Sequence, residues 1–185
     1  MGEISEGLEQ LLYTQPVPST TANQLRALLR WERGSTRQVA ALLGVSQRTV
    51  QRWVTRKAGS SRRPSARHEQ TIADLVRARW QPRVRARRRA EAEERGVVVH
   101  TRARFGFRAG AGSSDDPRLR LITAHLPGAV TREMFAALEA GAGEKQHELI
   151  LSRALGHAYF RGGGQRAHGL QVVLGDIDFI DFALL

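Results

Sequence analysis

The stretch TRQVAALLGVSQRTVQRWVT, residues 36–55, decides the fold of the first half of the chain. It places two short helical patterns on either side of Gly44, a residue suited to the tight turn between them. Ala40 is small enough for the two helices to cross closely, and Ser46 is a favourable N-cap for the second helix. The apolar positions that should pack the helices together are Val39, Leu43, Val45, Val50 and Trp53. We therefore predict a helix-turn-helix.

The polar positions at the start of the second helix should face away from this packing, and they are Gln47, Arg48, Gln51 and Arg52. Glutamine and arginine are the side chains that pair best with adenine and guanine edges, and the second helix of a helix-turn-helix enters the major groove. We predict that these four residues contact DNA. Either arginine is equally suited to holding a phosphate. A plain helical hairpin within a bundle is the alternative interpretation of the pattern.

Positive charge is concentrated in the middle of the sequence. The chain has 185 residues, of which 29 are basic and 18 are acidic, and 27 of the basic residues are arginine. Residues 26–104 carry a net charge of +15, whereas residues 1–25 carry −3 and residues 105–185 carry −1. Such a block favours a phosphate backbone as the partner. An anionic membrane surface is the alternative, and it is disfavoured because tryptophan and proline interrupt the block.

Composition also excludes several classes of protein. No stretch approaches the roughly 20 apolar residues that span a bilayer, and the acidic first ten residues are the reverse of a signal or transit peptide. Cysteine is absent, which excludes a disulfide framework, a cysteine zinc site and a thiol nucleophile. We expect a cytoplasmic protein that binds nucleic acid.

A second basic motif, WQPRVRARRRA, covers residues 80–90. Its arginines repel one another unless anions are close, so we predict phosphate contacts that depend steeply on salt. The alternative is a solvated helix face that the acidic residues at 91–94 balance. Trp80 is suited to stacking on a base, although packing in the core is the stronger interpretation. The arginines concerned are Arg83, Arg85, Arg87, Arg88 and Arg89.

Apolar periodicity predicts the remaining elements. In the first half, helices are expected over residues 3–13, 22–33 and 67–80, with a flexible basic linker at 58–66, a break at Pro82 and a basic helix over 83–95. In the second half, the pattern predicts a strand over 97–107, a small-residue loop at 109–117, a short helix over 119–126, helices over 131–140 and 144–160, a glycine loop at 161–169, and strands over 170–174 and 177–184.

These elements predict an α+β fold in three parts. An N-terminal all-α domain with the helix-turn-helix covers residues 1–57, and a basic linker and helix cover residues 58–95. A small α+β domain covers residues 96–185 and carries the one loop with reactive side chains.

No group of residues points to a self-sufficient enzyme. The six histidines are scattered, a two-histidine site from His157 and His168 is weakly indicated, and no metal site is predicted. A Walker A phosphate loop, a nickase tyrosine with paired histidines and a hydrolase elbow are all missing. Residues 109–116 do place two hydroxyls beside two carboxylates that are suited to holding a metal ion or a proton acceptor. An Asp-Pro turn that starts a helix is the alternative. The four residues are Ser113, Ser114, Asp115 and Asp116.

Beyond the helix-turn-helix, five segments resemble a known family, and together they run almost from end to end of the chain. They are MGEISEGLEQLLYTQPVP at 1–18, RARWQPRVRARRRA at 77–90, HTRARFGF at 100–107, SSDD at 113–116 and QRAHGL at 165–170. The chain resembles the telomere-protecting terminal proteins (Tpg) of linear actinobacterial chromosomes and plasmids. Those proteins are linked covalently to 5′ DNA ends and prime the DNA synthesis that fills in recessed ends.

The resemblance implies specific roles and partners. The family's priming hydroxyl lies on a threonine just before the Asp pair, a place that Ser114 occupies here, with Ser113 beside it as the alternative. The implied partners are telomeric DNA, both as 3′ overhang hairpins and as duplex, a DNA polymerase that supplies Mg²⁺, and a telomere-associated DNA-binding protein. No intrinsic cofactor is expected, and the chain would accept a nucleotide without being an enzyme by itself. A helix-turn-helix regulator of transcription or plasmid replication is the alternative function.

Overall fold

A computed structural model describes residues 2–55, 63–108, 114–160 and 171–185 of the chain, without the side chains of residues 107, 108 and 114–116. The first half contains helices α1 (Glu3–Leu11), α2 (Thr21–Trp31), α3 (Thr36–Leu43), α4 (Gln47–Val54), α5 (Ala66–Arg79) and α6 (Pro82–Arg95). The second half contains strands β1 (Val97–Arg108), β2 (Ser114–Leu126) and β3 (Gln171–Leu184), with helices α7 (Gly128–Glu139) and α8 (Glu144–Leu155) between β2 and β3. A π-helical turn, Gly156–Phe160, continues α8.

The chain divides into two compact units, which we name for their contents. The helix-turn-helix unit is Gln15–Pro82, and the sheet unit is Met1–Thr14 together with Arg83–Leu185. These boundaries differ from the expected division at residues 57 and 95. The reason is that α1 packs its apolar face against α8 and β3, so that Ile4 and Leu8 are fully buried in the core of the sheet unit.

The helix-turn-helix unit is built as the sequence predicts. Each of its first three helices begins at a hydroxyl N-cap: Thr20 for α2, Ser35 for α3 and Ser46 for α4. Gly44 ends α3 in the left-handed conformation, with φ of +63°, which costs an L side chain free energy that glycine avoids. The core combines the predicted packing positions with residues of α2 and α5; its fully or nearly fully buried members are Leu25, Leu28, Val39, Ala40, Leu43, Val50, Ile72 and Val76.

The sheet unit contains an antiparallel sheet of three strands in the order β2-β1-β3. Side chains alternate along β1, where Val99, Thr101 and Ala103 are buried and the residues between them face the other side. The buried face packs with α1, α7 and α8 into one core. The opposite face is exposed and mixed in character, with Arg102 and Arg104 beside Leu119 and Leu121.

Three hydrogen bonds hold α1 in the sheet unit. The Glu144 carboxylate accepts hydrogen bonds from the Ile4 backbone nitrogen at 2.6 Å and from Ser5 Oγ at 2.7 Å, so a residue of α8 satisfies the N-terminal end of α1. At the other end, Arg88 Nε donates to the Leu11 carbonyl oxygen at 2.6 Å. The chain therefore leaves the sheet unit after residue 14 and rejoins it at residue 83.

The predicted short helix over residues 119–126 is wrong, because this segment belongs to β2. Ile122, Ala124 and Leu126 alternate into the core and pair with β1, whereas Leu121 is 70% exposed. The helix was predicted from the helical spacing of Leu119, Ile122 and Leu126. In the strand, Leu119 lies on the exposed face and the other two lie in the core. The predicted loop at 109–117 is correspondingly shorter, since β2 begins at residue 114, and the alternative Asp-Pro helix start is wrong for the same reason.

The predicted pair of strands at the C-terminus is one strand. β3 continues through the expected turn at Gly175–Asp176, where the register against β1 shifts and Asp176 takes a positive φ of 43°. Other predictions agree with the structure: β1 matches its predicted range closely, and the expected break occurs at Pro82, which begins α6 after α5 has ended at Arg79. The predicted glycine loop at 161–169 and most of the predicted linker at 58–66 lie outside the described residues.

None of the helices in the described part of the chain combines the length and the apolar composition that a bilayer-spanning segment needs.

Candidate nucleic-acid interface

The exposed side of α4 carries the four residues that the sequence predicted to contact DNA. Gln47, Arg48, Gln51 and Arg52 are all exposed, and Val50 on the opposite side of the helix is fully buried. Helical spacing arranges them in two rows, with the glutamines in one and the arginines in the other. The predicted orientation of the second helix is confirmed.

The four side chains differ in their contacts within the protein. Gln47 Nε2 donates a hydrogen bond to Thr36 Oγ1, at the start of α3, at 3.0 Å. Among the described residues, the side chains of Arg48, Gln51 and Arg52 form no hydrogen bond and no ion pair. Three of the four are therefore unengaged, and sequence reasoning did not anticipate the role of Thr36 because the two residues are eleven positions apart.

Almost all of the net positive charge of the chain lies in the helix-turn-helix unit. Of the net charge of +11, Gln15–Pro82 carries +10 and the sheet unit carries +1. Arg37, in the first turn of α3, is a further exposed arginine that pairs with no described residue. A small unit with this charge attracts a phosphate backbone at long range and binds it in a salt-dependent way.

The arginine run on α6 does not form one exposed surface. Arg88 is bonded to Leu11, the Arg85 guanidinium lies 5.5 Å from the centre of the Tyr13 ring, and Arg89 pairs with Glu93 and Glu139. The Glu139 carboxylate, followed by that of Glu93, raises the pKa of Arg89. These three arginines hold α6 to its own unit. Of the acidic residues at 91–94, Glu93 pairs with one of them, Arg89.

Two members of the run remain as candidates for phosphate contact. Arg83 and Arg87 are exposed, lie one turn apart, and pair with no described residue. Trp80 is not presented for base stacking, since its Nε1 donates to the Gln15 carbonyl oxygen at 3.0 Å and its ring packs 6.1 Å from that of Trp31. The interpretation of Trp80 as a packing residue is confirmed.

The residues predicted for priming lie where β1 and β2 meet. The backbone of Ser114 pairs with Arg108 and that of Asp115 with Phe107, so Ser114, Asp115 and Asp116 begin β2. Ser113 lies outside the described residues, and so does His168. Within the described residues, no group of three or more acidic residues or histidines is placed to hold a metal ion.

Comparison with known proteins agrees with the fold of the helix-turn-helix unit. A family model of the homeodomain-like domain matches residues 19–62, about a quarter of the chain. This match covers the helix-turn-helix and supports DNA binding. No curated protein and no solved structure gave a significant match to the chain. The resemblance to the terminal proteins therefore stays a prediction.

Proposed function

We propose that the chain binds duplex DNA sequence-selectively, with α4 in the major groove. The observation that carries this proposal is the exposed face of α4, on which Arg48, Gln51 and Arg52 are unengaged among the described residues. Glutamine and arginine side chains at this position of a helix-turn-helix reach base edges. The net charge of +10 on the same unit supplies the non-specific attraction.

Binding-site selection with the full chain and a random duplex library tests the proposal. We expect enrichment of one sequence, and a fall in affinity as salt rises, with a log–log slope that reflects the number of phosphate contacts. Arg48→Ala and Arg52→Ala should each weaken binding to the selected duplex. Arg77→Ala is the matched control, because Arg77 is also exposed and its replacement removes the same charge from α5 instead of α4. Equal losses from Arg77→Ala and the α4 variants would contradict the proposal.

We propose further that the biological role is that of a terminal protein, which joins 5′ DNA ends and primes end-filling synthesis. The support is the end-to-end resemblance of sequence segments and the position of Ser114 at the start of β2, next to the β1–β2 connection. In this role the Ser114 hydroxyl loses its proton to solvent and attacks the α-phosphate of the first deoxynucleoside triphosphate. The bond from serine oxygen to the α-phosphorus forms as the bond to the β-phosphate breaks, which leaves a phosphodiester on serine and releases pyrophosphate. The polymerase provides the Mg²⁺, so that the chain is the nucleotide acceptor and not an enzyme in its own right.

Mass spectrometry on protein recovered from the ends of linear DNA tests the priming role. After nuclease digestion, trypsin releases residues 109–118 as one peptide, and we expect a nucleotide on Ser114, with Ser113 as the alternative. Ser114→Thr keeps a hydroxyl and should preserve the linkage, whereas Ser114→Ala should abolish it. An adduct outside this peptide would exclude Ser113 and Ser114 as the attachment site.

The alternative role is a regulator of transcription or plasmid replication, which the helix-turn-helix match supports without using Ser114. A regulator of this class binds as a dimer to a pseudo-palindrome whose half-sites lie about one helical turn, roughly 10 base pairs, apart. Protein that is abundant in the cell, never linked to DNA ends and bound to such sites would favour the regulator.

A further inference from the structure

Gln47 and Gln51 are equivalent in the sequence pattern but differ in the structure. Gln47, the first residue of α4, directs its side-chain nitrogen to Thr36 Oγ1 at 3.0 Å. Gln51 lies one turn further along the same row, is exposed, and has no side-chain bond within the described residues. The bond takes one of the two N–H groups of the Gln47 amide, whereas among the described residues the Gln51 amide keeps both N–H groups and its oxygen.

We propose that Gln47 is a positioning residue, which fixes α4 against the start of α3, and that Gln51 is the glutamine that reads a base. This inference rests on the proposed binding of duplex DNA. A glutamine that reads adenine must present both its amide oxygen and its amide nitrogen to the base edge. The bond to Thr36 takes one of the two N–H groups of Gln47 and turns the amide nitrogen toward α3, whereas no described residue engages the Gln51 amide.

The position of the bond supports a role in orienting α4. Thr36 and Gln47 are the first residues of α3 and α4, so their bond joins the N-terminal ends of the two helices. Further along, the helices are held by non-directional apolar packing around Val39 and Val50, both fully buried. A hydrogen bond at the helix starts adds the directional constraint that apolar contacts lack. It therefore sets the angle at which every DNA-contacting side chain of α4 meets the groove.

Positioning and base reading have different signatures in DNA binding. Loss of a positioning contact weakens all contacts of α4 together, so affinity falls about equally for every sequence. Loss of a base contact relaxes the preference at one position of the site. The two glutamines offer a matched comparison, because Gln47→Ala and Gln51→Ala remove the same side chain from the same row of the same helix.

The experiment measures dissociation constants of the full chain for the selected duplex and for its single-base variants. We expect Gln47→Ala to weaken binding to all duplexes by about threefold to tenfold, the size of one net hydrogen bond. Thr36→Val should have the same effect, and the double variant should be no weaker than either single variant. Thr36→Ser keeps the hydroxyl and should bind as the unmodified chain does. Gln51→Ala should lose about tenfold or more discrimination at one base pair.

Several outcomes would overturn the proposal. One is a changed base preference for Gln47→Ala together with unchanged binding for Thr36→Val, which would make Gln47 a base reader. Another is additivity of the two variants, and a third is unaltered binding in both. Circular dichroism melting of each variant separates a loss of positioning from a loss of folding. An unmodified chain that selects no sequence would refute the proposed function itself, and this result is distinct from the others.

Discussion

Replacing Glu144 by alanine should make α1 detach more often from the sheet unit. The Glu144 carboxylate accepts from the backbone nitrogen of Ile4 and from the hydroxyl of Ser5, and both of these residues are buried. A hydrogen bond to a charged group contributes about 1.5–3 kcal/mol, and alanine removes two of them. Glu144 is only half-buried, so water will replace part of what is lost. We expect a net destabilisation of α1 by about 3 kcal/mol, and this corresponds to roughly a hundredfold more frequent opening.

Hydrogen exchange followed by mass spectrometry measures this opening in the full chain. Peptides that contain α1 should exchange about a hundredfold faster in Glu144→Ala, whereas peptides from α4 should be unaffected. Glu148→Ala is the matched control, because Glu148 lies one turn further along α8, is also half-buried, and bonds to no described residue. Unchanged protection of α1 in Glu144→Ala, or an equal loss in Glu148→Ala, would refute the role of this carboxylate.

Three further predictions concern stability. Gly44→Ala places a side chain at φ of +63° and should destabilise the helix-turn-helix unit by about 1–2 kcal/mol, a change that tryptophan fluorescence detects since all three tryptophans lie in this unit. His147→Leu should raise the free energy of unfolding by about 1 kcal/mol in denaturant titrations, because the imidazole is fully buried and neither nitrogen is hydrogen-bonded to a described residue; a loss of stability would contradict this reasoning. Arg89 lowers the pKa of the exposed Glu139 carboxyl, so this pair stabilises the folded chain at neutral pH and its contribution disappears as pH falls through the lowered pKa. Glu139→Gln should remove this part of the acid dependence, and an unchanged acid profile would count against the ion pair.

The sequence was sufficient for the helix-turn-helix because every signal there is local. Each N-cap bonds to a backbone nitrogen three residues further on, and Gly44 adopts the left-handed conformation that the turn needs. The apolar spacing defines one buried side of each helix. The exposed positions on α4 follow from the same spacing. Agreement among local signals of this kind makes a segment predictable without knowledge of its partners.

The sheet was less predictable because its signals depend on distant segments. Leu119, Ile122 and Leu126 fit a helical repeat, but pairing with β1 places Leu119 on the exposed face and the other two in the core. The positive φ at Asp176 and the shifted register keep β3 continuous, although a Gly-Asp pair normally marks a turn. Pairing with β1 decided both cases. This pairing joins segments that are distant in the chain, so a short stretch of sequence does not reveal it.

The sequence by itself determined that this chain carries a helix-turn-helix, where its basic residues lie along the chain, and which side of α4 is polar. Only the tertiary structure decided which of those polar residues are free to bind a partner. Gln47 is engaged by Thr36, and Arg88 and Arg89 by groups that are 77 and 50 positions away in the chain. The physical reason is that composition and periodicity fix the charge and the orientation of a side chain, whereas its availability depends on hydrogen-bond partners that folding brings near.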